Sequence, residues 1–229
     1  MNLQTGKNSF TEELVQDSLP IWQQCLDSQF LKGLEAGTLD EECFKGYIVE
    51  DTLYLREYAK VFAWGMTKAQ EMDDIRMYYS LLSFVNESEG NTRLKYLERY
   101  GLKDKEVQRL PQRPENQAYT DCMIQAAKEG EGAAECMMAC LPCMISYCWI
   151  FQKLLERTPQ VKETVFWPLV RDYAGEGYEE SCREWAAYTD KVCGDLTPER
   201  RQKCLEIFRA CSYHELHFWE MSNKPRTDL

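Results

Sequence analysis

The amino-acid sequence predicts an all-α fold, a single-domain helical bundle spanning residues 1–229. Three observations predict it. Apolar residues recur at three- and four-residue spacing along almost the whole chain, the period of a helix that buries one face. Glycine and proline, at 12 and 8 copies, punctuate that pattern rather than dominate it. No run of alternating β-branched residues is long enough to make a strand.

The first helix is expected to start near Ser9 or Thr11, because Ser9 and Glu12 have capping-box spacing. Pro20 should kink or end it. Residues Glu35 to Asp40 read as a turn, with Thr38 or Asp40 capping a helix that runs to about Lys68. The next helix covers about Met72 to Tyr100, with a break near Gly90. Lys103 to Pro114 reads as a polar connector carrying two prolines. Helices are then expected over about Glu115–Lys128 and Ala133–Glu156, parted by Gly130 and Gly132. Val161 to Val192 reads as helical with an interruption at Ala174-Gly175-Glu176-Gly177. Thr197-Pro198 supplies an N-cap and a proline at the first helical position, so the last helix runs from there to about Ser222. No internal repeat or low-complexity tract shows, and the short connectors suit one bundle.

The formal net charge of −11 argues against nucleic acid, which selects a basic face. No Lys/Arg cluster points to an anionic membrane surface. The polar start of the chain and the lack of an apolar run of ~18 residues argue against a membrane span. Eleven cysteines cannot all pair within one chain. They are read as reduced thiols of a cytoplasmic protein, most of them small core residues.

Three helices place an ionisable or nucleophilic group where packing asks for an apolar one. After Asp40 the apolar stripe is Phe44, Tyr47, Ile48, Leu55, Tyr58 and Phe62, and Asp51 falls on it, with Tyr54 on the same face. A buried carboxylate needs a partner. Spacing leaves open whether that partner is a neighbouring helix or a ligand. In the last helix Glu215 lies among Cys204, Phe208, Cys211, Phe218 and Trp219. A carboxyl there should have a raised pKa, which suits proton transfer near neutrality. The helix from Ala133 is apolar nearly all round, the mark of a central helix, and Pro142 should kink it. Cys143 and Tyr147 share one of its faces, but spacing does not choose Cys143 over Cys140.

Several motifs fail on context. Cys140-Leu141-Pro142-Cys143 lacks the strand that a thioredoxin-like site needs and the further ligands that zinc needs. The only histidines, His214 and His217, are three apart rather than the four of a zinc-protease helix. Neither follows a glutamate by three, as a di-iron bundle requires. No metal or cofactor is therefore expected. No Gly-rich phosphate loop or G-x-S-x-G elbow occurs.

Six pieces in order resemble the TenA family of thiaminase II and aminopyrimidine aminohydrolases. They are Gly37-Thr38-Leu39 with Phe44 and Tyr47, Asp51-Thr52-Leu53-Tyr54-Leu55, Pro114 to Thr120, Leu141-Pro142-Cys143 with Tyr147, Tyr173 with Tyr178, and Glu215 with Phe218-Trp219. The resemblance covers roughly Phe30 to Met221. It implies a haem oxygenase-like fold without haem, a homotetramer, and a small pyrimidine as substrate. It implies that Cys143 is the nucleophile, that Asp51 pairs with the pyrimidine amino group and a ring nitrogen, and that Glu215 transfers protons. Tyr54, Tyr119, Tyr147, Tyr173 and Phe218 would line the pocket. The resemblance thereby favours Cys143 over Cys140. The implied reaction is hydrolysis of aminomethylpyrimidine, a thiamine breakdown product, to hydroxymethylpyrimidine and ammonia, with cleavage of intact thiamine as a second activity. A weak pyrimidine-binding or regulatory protein, and a dinuclear-metal oxidase of similar shape, are the alternatives. The chain departs from the family pattern at Leu169, where an aromatic is common, and at Met144-Ile145-Ser146, where a proline and an aromatic are common.

Overall fold

Polar residues placed ahead of apolar periodic stretches start four of the helices. Ser9 Oγ accepts from the Glu12 N–H and opens α1 (Phe10–Leu26). Ser28 Oγ accepts from the Leu31 N–H and opens α2 (Gln29–Ala36). Asp40, rather than Thr38, caps α3 (Glu41–Lys68) by accepting from the Glu42 and Cys43 N–H groups. α4 (Met72–Phe84), α5 (Gly90–Arg99) and a one-turn α6 (Asp104–Val107) follow. Then come α7 (Pro114–Glu129), α8 (Ala133–Arg157), α9 (Trp167–Ala174) and α10 (Glu176–Cys193). Thr197 Oγ1 accepts from the Arg200 N–H to open α11 (Pro198–Ser222). The structure, a computed structural model, describes residues 1, 3, 9–84 and 90–229, and among these there is no strand.

Four local expectations are corrected. α1 runs through Pro20 instead of ending there. Pro20 is exposed, while Leu14, Ser18, Ile21, Trp22 and Cys25 bury the opposite face. Burying large apolar side chains at about 1.5–3 kcal/mol each outweighs the ~3 kcal/mol a mid-helix proline costs. The stretch before the Glu35–Asp40 turn forms a helix of its own, ended by Gly37 at φ 69°, where a Cβ would meet the Thr164 methyl at 2.9 Å. The polar connector contains α6, held by the burial of Val107. Residues Pro159–Glu163 form a 3-10 turn, and the α-helix begins only at Trp167, with Pro168 in its first turn. The break expected near Gly90 borders residues 85–89, which lie outside the described residues.

α8 is the central helix. It packs against α3, α7, α9, α10 and α11. Every residue from Ala134 to Pro142 is buried. The sequence reading that no stretch is apolar and long enough for a membrane is corrected here. Ala133–Arg157 passes by length and composition, with a mean hydropathy of 1.5 over a window that is 89% buried inside the protein. α8 continues past Pro142, and the Tyr58 hydroxyl donates to the Cys140 carbonyl at 2.9 Å.

Two buried carboxylates fasten the frame. Glu135, at the start of α8, accepts from Arg200 of α11 at 2.9 Å and from the Gly132 N–H at 3.0 Å. Glu50 of α3 accepts from Arg113 at 3.2 Å, Asn116 at 2.7 Å and Arg226 at 2.5 Å. The chain beyond α11 thus turns back onto α3. A buried charge without such partners would be strongly destabilising.

Candidate active site

α3 packs against α7 and α8 and delivers three polar side chains at helical spacing, Tyr47, Asp51 and Tyr54. All three are buried. α8 contributes Cys143 and Tyr147, α7 contributes Tyr119, and α11 contributes Glu215 and Phe218. Cys143 is partly exposed, although its neighbours Leu141, Pro142, Met144 and Ile145 are buried. Cys140 is fully buried, and burial pushes its thiol well above the ordinary range.

Glu215 is the hub. Its carboxylate accepts a 2.7 Å hydrogen bond from the Tyr119 hydroxyl, and the Cys143 thiol lies beside it. Burial raises its pKa from 4.5 to about 7, against the stabilisation of the carboxylate by Tyr119 and Cys143, and the Asp51 charge pushes the same way as burial. Asp51 itself is raised from 3.8 to about 6 by burial, opposed by the Arg93 guanidinium. Both carboxyls therefore exchange protons near neutrality, the condition for general acid and base work.

Aromatic rings fill the space between these groups. Tyr54 packs on Tyr119 with centroids 5.0 Å apart and edge-on to Phe218 at 6.0 Å. Tyr47 stacks on Trp219 at 5.5 Å and meets Phe218 at 6.1 Å. Tyr147 lies 5.0 Å from Trp219 and 4.9 Å from Tyr173. A cavity of about 480 Å³ opens beside this cluster, with Ile48, Asp51, Arg93, Leu169, Tyr173 and Tyr178 in its wall. Its size falls in the range that holds a drug-sized ligand.

The structure thus draws all eight expected site residues into one neighbourhood. Asp51 and Tyr173 stand on the cavity wall, and the other six do not. They connect to it through the Tyr147–Tyr173 contact and through the Asp51–Glu215 interaction. Leu169, one of the departures from the family pattern, is on the wall. Met144, Ile145 and Ser146 are buried and away from it. Sequence reasoning missed Arg93 of α5, which reaches Thr52 at 2.8 Å and Asp104 at 3.0 Å and sets the field at Asp51. Nothing in the spacing of α5 signals this, because the contact joins distant segments. Tyr47 was within reach, since it lies one turn before Asp51 on the same stripe. Among the described residues no three His, Cys, Asp or Glu side chains gather as a metal would require.

The profile of the TENA/THI-4/PQQC family matches residues 15–224. The chain belongs to that family. An aminopyrimidine aminohydrolase of Helicobacter pylori is 28% identical over 213 residues, which is 93% of this chain and 97% of that one. An uncharacterized protein of Haemophilus influenzae is 26% identical over 210 residues, 92% of this chain and 97% of that one. Among solved structures, a TenA family transcription regulator from a Silicibacter species aligns with a TM-score of 0.84 at 21% identity, covering 94% of this chain and 97% of that one. A TenA homologue from P. horikoshii aligns with a TM-score of 0.81 at 24% identity, over 93% and 98%. These structures share the fold, and the all-α TenA-type architecture expected from the sequence is the one this family member adopts.

Proposed function

We propose that this TenA family member hydrolyses aminomethylpyrimidine to hydroxymethylpyrimidine and ammonia, with Cys143 as the nucleophile, in thiamine salvage. The observation that carries the reading is the placement of the Cys143 thiol beside Glu215, a buried carboxyl that accepts from the Tyr119 hydroxyl and is raised to about 7. A thiol needs a base to become a nucleophile, and a leaving amine needs an acid. One residue that titrates near neutrality serves both. The curated relative in Helicobacter pylori named an aminopyrimidine aminohydrolase supports the same substrate class.

In this reading Cys143 passes its proton to Glu215, and the thiolate forms a C–S bond to a ring carbon of the pyrimidine. The electron pair displaced through the ring expels the amine from the exocyclic methylene, and Glu215 returns the proton to it, so that it leaves as ammonia. Water adds to the methylene carbon and gives its proton to Glu215. The C–S bond then breaks, and the ring regains its aromaticity. Asp51 pairs with the ring amino group and a ring nitrogen. Tyr54, Tyr119, Tyr147, Tyr173 and Phe218 hold the ring by stacking and hydrogen bonds. The reading carries with it a single domain over residues 1–229, a reducing cytoplasmic setting, a homotetramer and no cofactor. Cleavage of intact thiamine is the second activity the reading carries for this site.

The test is ammonia release from synthetic aminomethylpyrimidine by the wild type, Cys143→Ala and Cys140→Ala. Release by the wild type and Cys140→Ala but not by Cys143→Ala is expected. Equal release by all three would remove Cys143 from the reaction. No release by any, with thiamine left intact, would turn the reading toward a binding protein. Thiazole release from thiamine tests the second substrate.

A further inference from the structure

Six of the eleven cysteines meet in pairs across helix interfaces. Cys148 of α8 faces Cys182 of α10, Cys193 of α10 faces Cys204 of α11, and Cys122 of α7 faces Cys211 of α11, all as free thiols. In the first two pairs both thiols are buried. The third differs in two respects. Cys122 is partly exposed, and the His214 imidazole lies beside its thiol.

The position of this third pair is set by helical spacing. Cys122 lies three residues after Tyr119, and Cys211 lies four before Glu215. Residues three or four apart occupy one helix face. The Tyr119–Glu215 hydrogen bond and the Cys122–Cys211 contact are therefore consecutive rungs between α7 and α11. His214 joins the two rungs, because its ring stacks on Tyr119 with centroids 5.4 Å apart and planes 9° from parallel.

We propose that Cys122 and Cys211 form a peroxide-oxidisable dithiol, a modification site one rung from the proposed catalytic carboxyl. Cys122 is the attacking thiol, since it alone of the pair is open to solvent and has an imidazole beside it. The Cys211 thiol and the His214 imidazole beside it hold it below the ordinary thiol range, whereas the same contact and burial push Cys211 up. The Cys122 thiolate attacks one oxygen of hydrogen peroxide. The O–O bond breaks, the sulfur becomes a sulfenic acid, and the departing hydroxide takes the thiol proton and leaves as water. Cys211 then attacks that sulfur. The S–S bond forms, and the sulfenic hydroxyl leaves with the Cys211 proton as a second water. Two thiols lose two electrons, and one peroxide becomes two waters. A nearby thiol that resolves a sulfenic acid is the arrangement that makes such oxidation reversible. The product would staple α7 to α11 beside the Tyr119–Glu215 rung.

The full chain is treated with hydrogen peroxide, its remaining thiols are alkylated, and its peptides are mapped by mass spectrometry. The expected result is a Cys122–Cys211 cross-link that forms before any other, disappears with dithiothreitol and is lost in Cys122→Ser. Oxidation that spares Cys122, or that first joins Cys148 to Cys182 or Cys193 to Cys204, overturns the proposal. A second measurement is the rate of Cys122 alkylation by iodoacetamide at neutral pH. It should fall roughly tenfold in His214→Gln as the thiol returns toward its ordinary range. An unchanged rate removes the imidazole from the site and overturns the assignment of Cys122 as the attacking thiol. Both readouts are chemical and stand apart from any hydrolase activity.

Discussion

The Tyr119 hydroxyl donates a 2.7 Å hydrogen bond to the Glu215 carboxylate, so α7 directly sets the proton affinity of a group on α11. The bond stabilises the ionised carboxylate and lowers a pKa that burial has raised. Tyr119→Phe removes the donor and leaves the ring contacts in place. Glu215 should then titrate at higher pH, and the corresponding limb of the kcat/KM–pH profile should move upward. The variant should also lose about 1–3 kcal/mol of stability, the cost of stranding a buried acceptor.

Stability itself should carry the signature of Glu215. Its folded pKa, about 7, lies above its ordinary value of 4.5, so the folded state holds the extra proton between those values. Its contribution is fully present below pH 4.5 and is lost as pH rises through 7. Glu215→Gln removes the titration. Relative to wild type, the variant should gain about 3 kcal/mol between pH 4 and pH 8, as measured by denaturant unfolding at each pH. A constant difference across that range would contradict the raised pKa. The same substitution should lower turnover by about 10²–10⁴ if Glu215 is the acid and base.

Arg226 is almost fully buried against Glu50, which has no exposure at all. Arg226→Ala should destabilise the protein in urea unfolding, by less than the roughly 3–5 kcal/mol of a fully stranded buried charge because Glu50 keeps Arg113 and Asn116. Adding Glu50→Gln to that variant should recover part of the loss, because a neutral side chain no longer needs the second guanidinium.

Two glycines should respond in opposite directions. A Cβ on Gly65 would sit 2.3 Å from the Tyr78 ring, where α3 and α4 touch. Gly65→Ala should destabilise by about 1–3 kcal/mol or more, as overpacking does. Gly177 lies inside α10 with nothing near its missing Cβ. Gly177→Ala should stabilise by about 0.5–1 kcal/mol, the difference in helix propensity. Thermal unfolding of both variants reads the contrast.

Much of this fold is legible in the sequence because the helices carry their own boundaries. The caps at Ser9, Asp40 and Thr197 and the break around Gly175 mark where helices start and stop. Where packing overrules local preference, reading by residue type fails. Pro20 sits inside α1 because the helix's buried face outweighs it, and α6 exists because Val107 is buried. At the candidate site, Asp51 and Glu215 are visible as carboxyls on apolar stripes, and Cys143 as a thiol in a central helix. Their shared neighbourhood is not visible, because it depends on how α3, α8 and α11 face one another. Arg93 is hidden for the same reason. Its influence on Asp51 crosses from α5 to α3, and no periodicity within either helix encodes it.

The return of the chain end onto α3 has a consequence for the order in which the protein is made. Glu50 receives the last of its partners, Arg226, from 176 residues downstream. During synthesis the helix that carries Asp51 emerges well before Arg226, so its buried neighbour stays short of one charge until residue 226 has left the ribosome. The scaffold behind the candidate site therefore closes only once Arg226 has been made, and a chain stopped just past Ser222 would hold every expected site residue without that clasp.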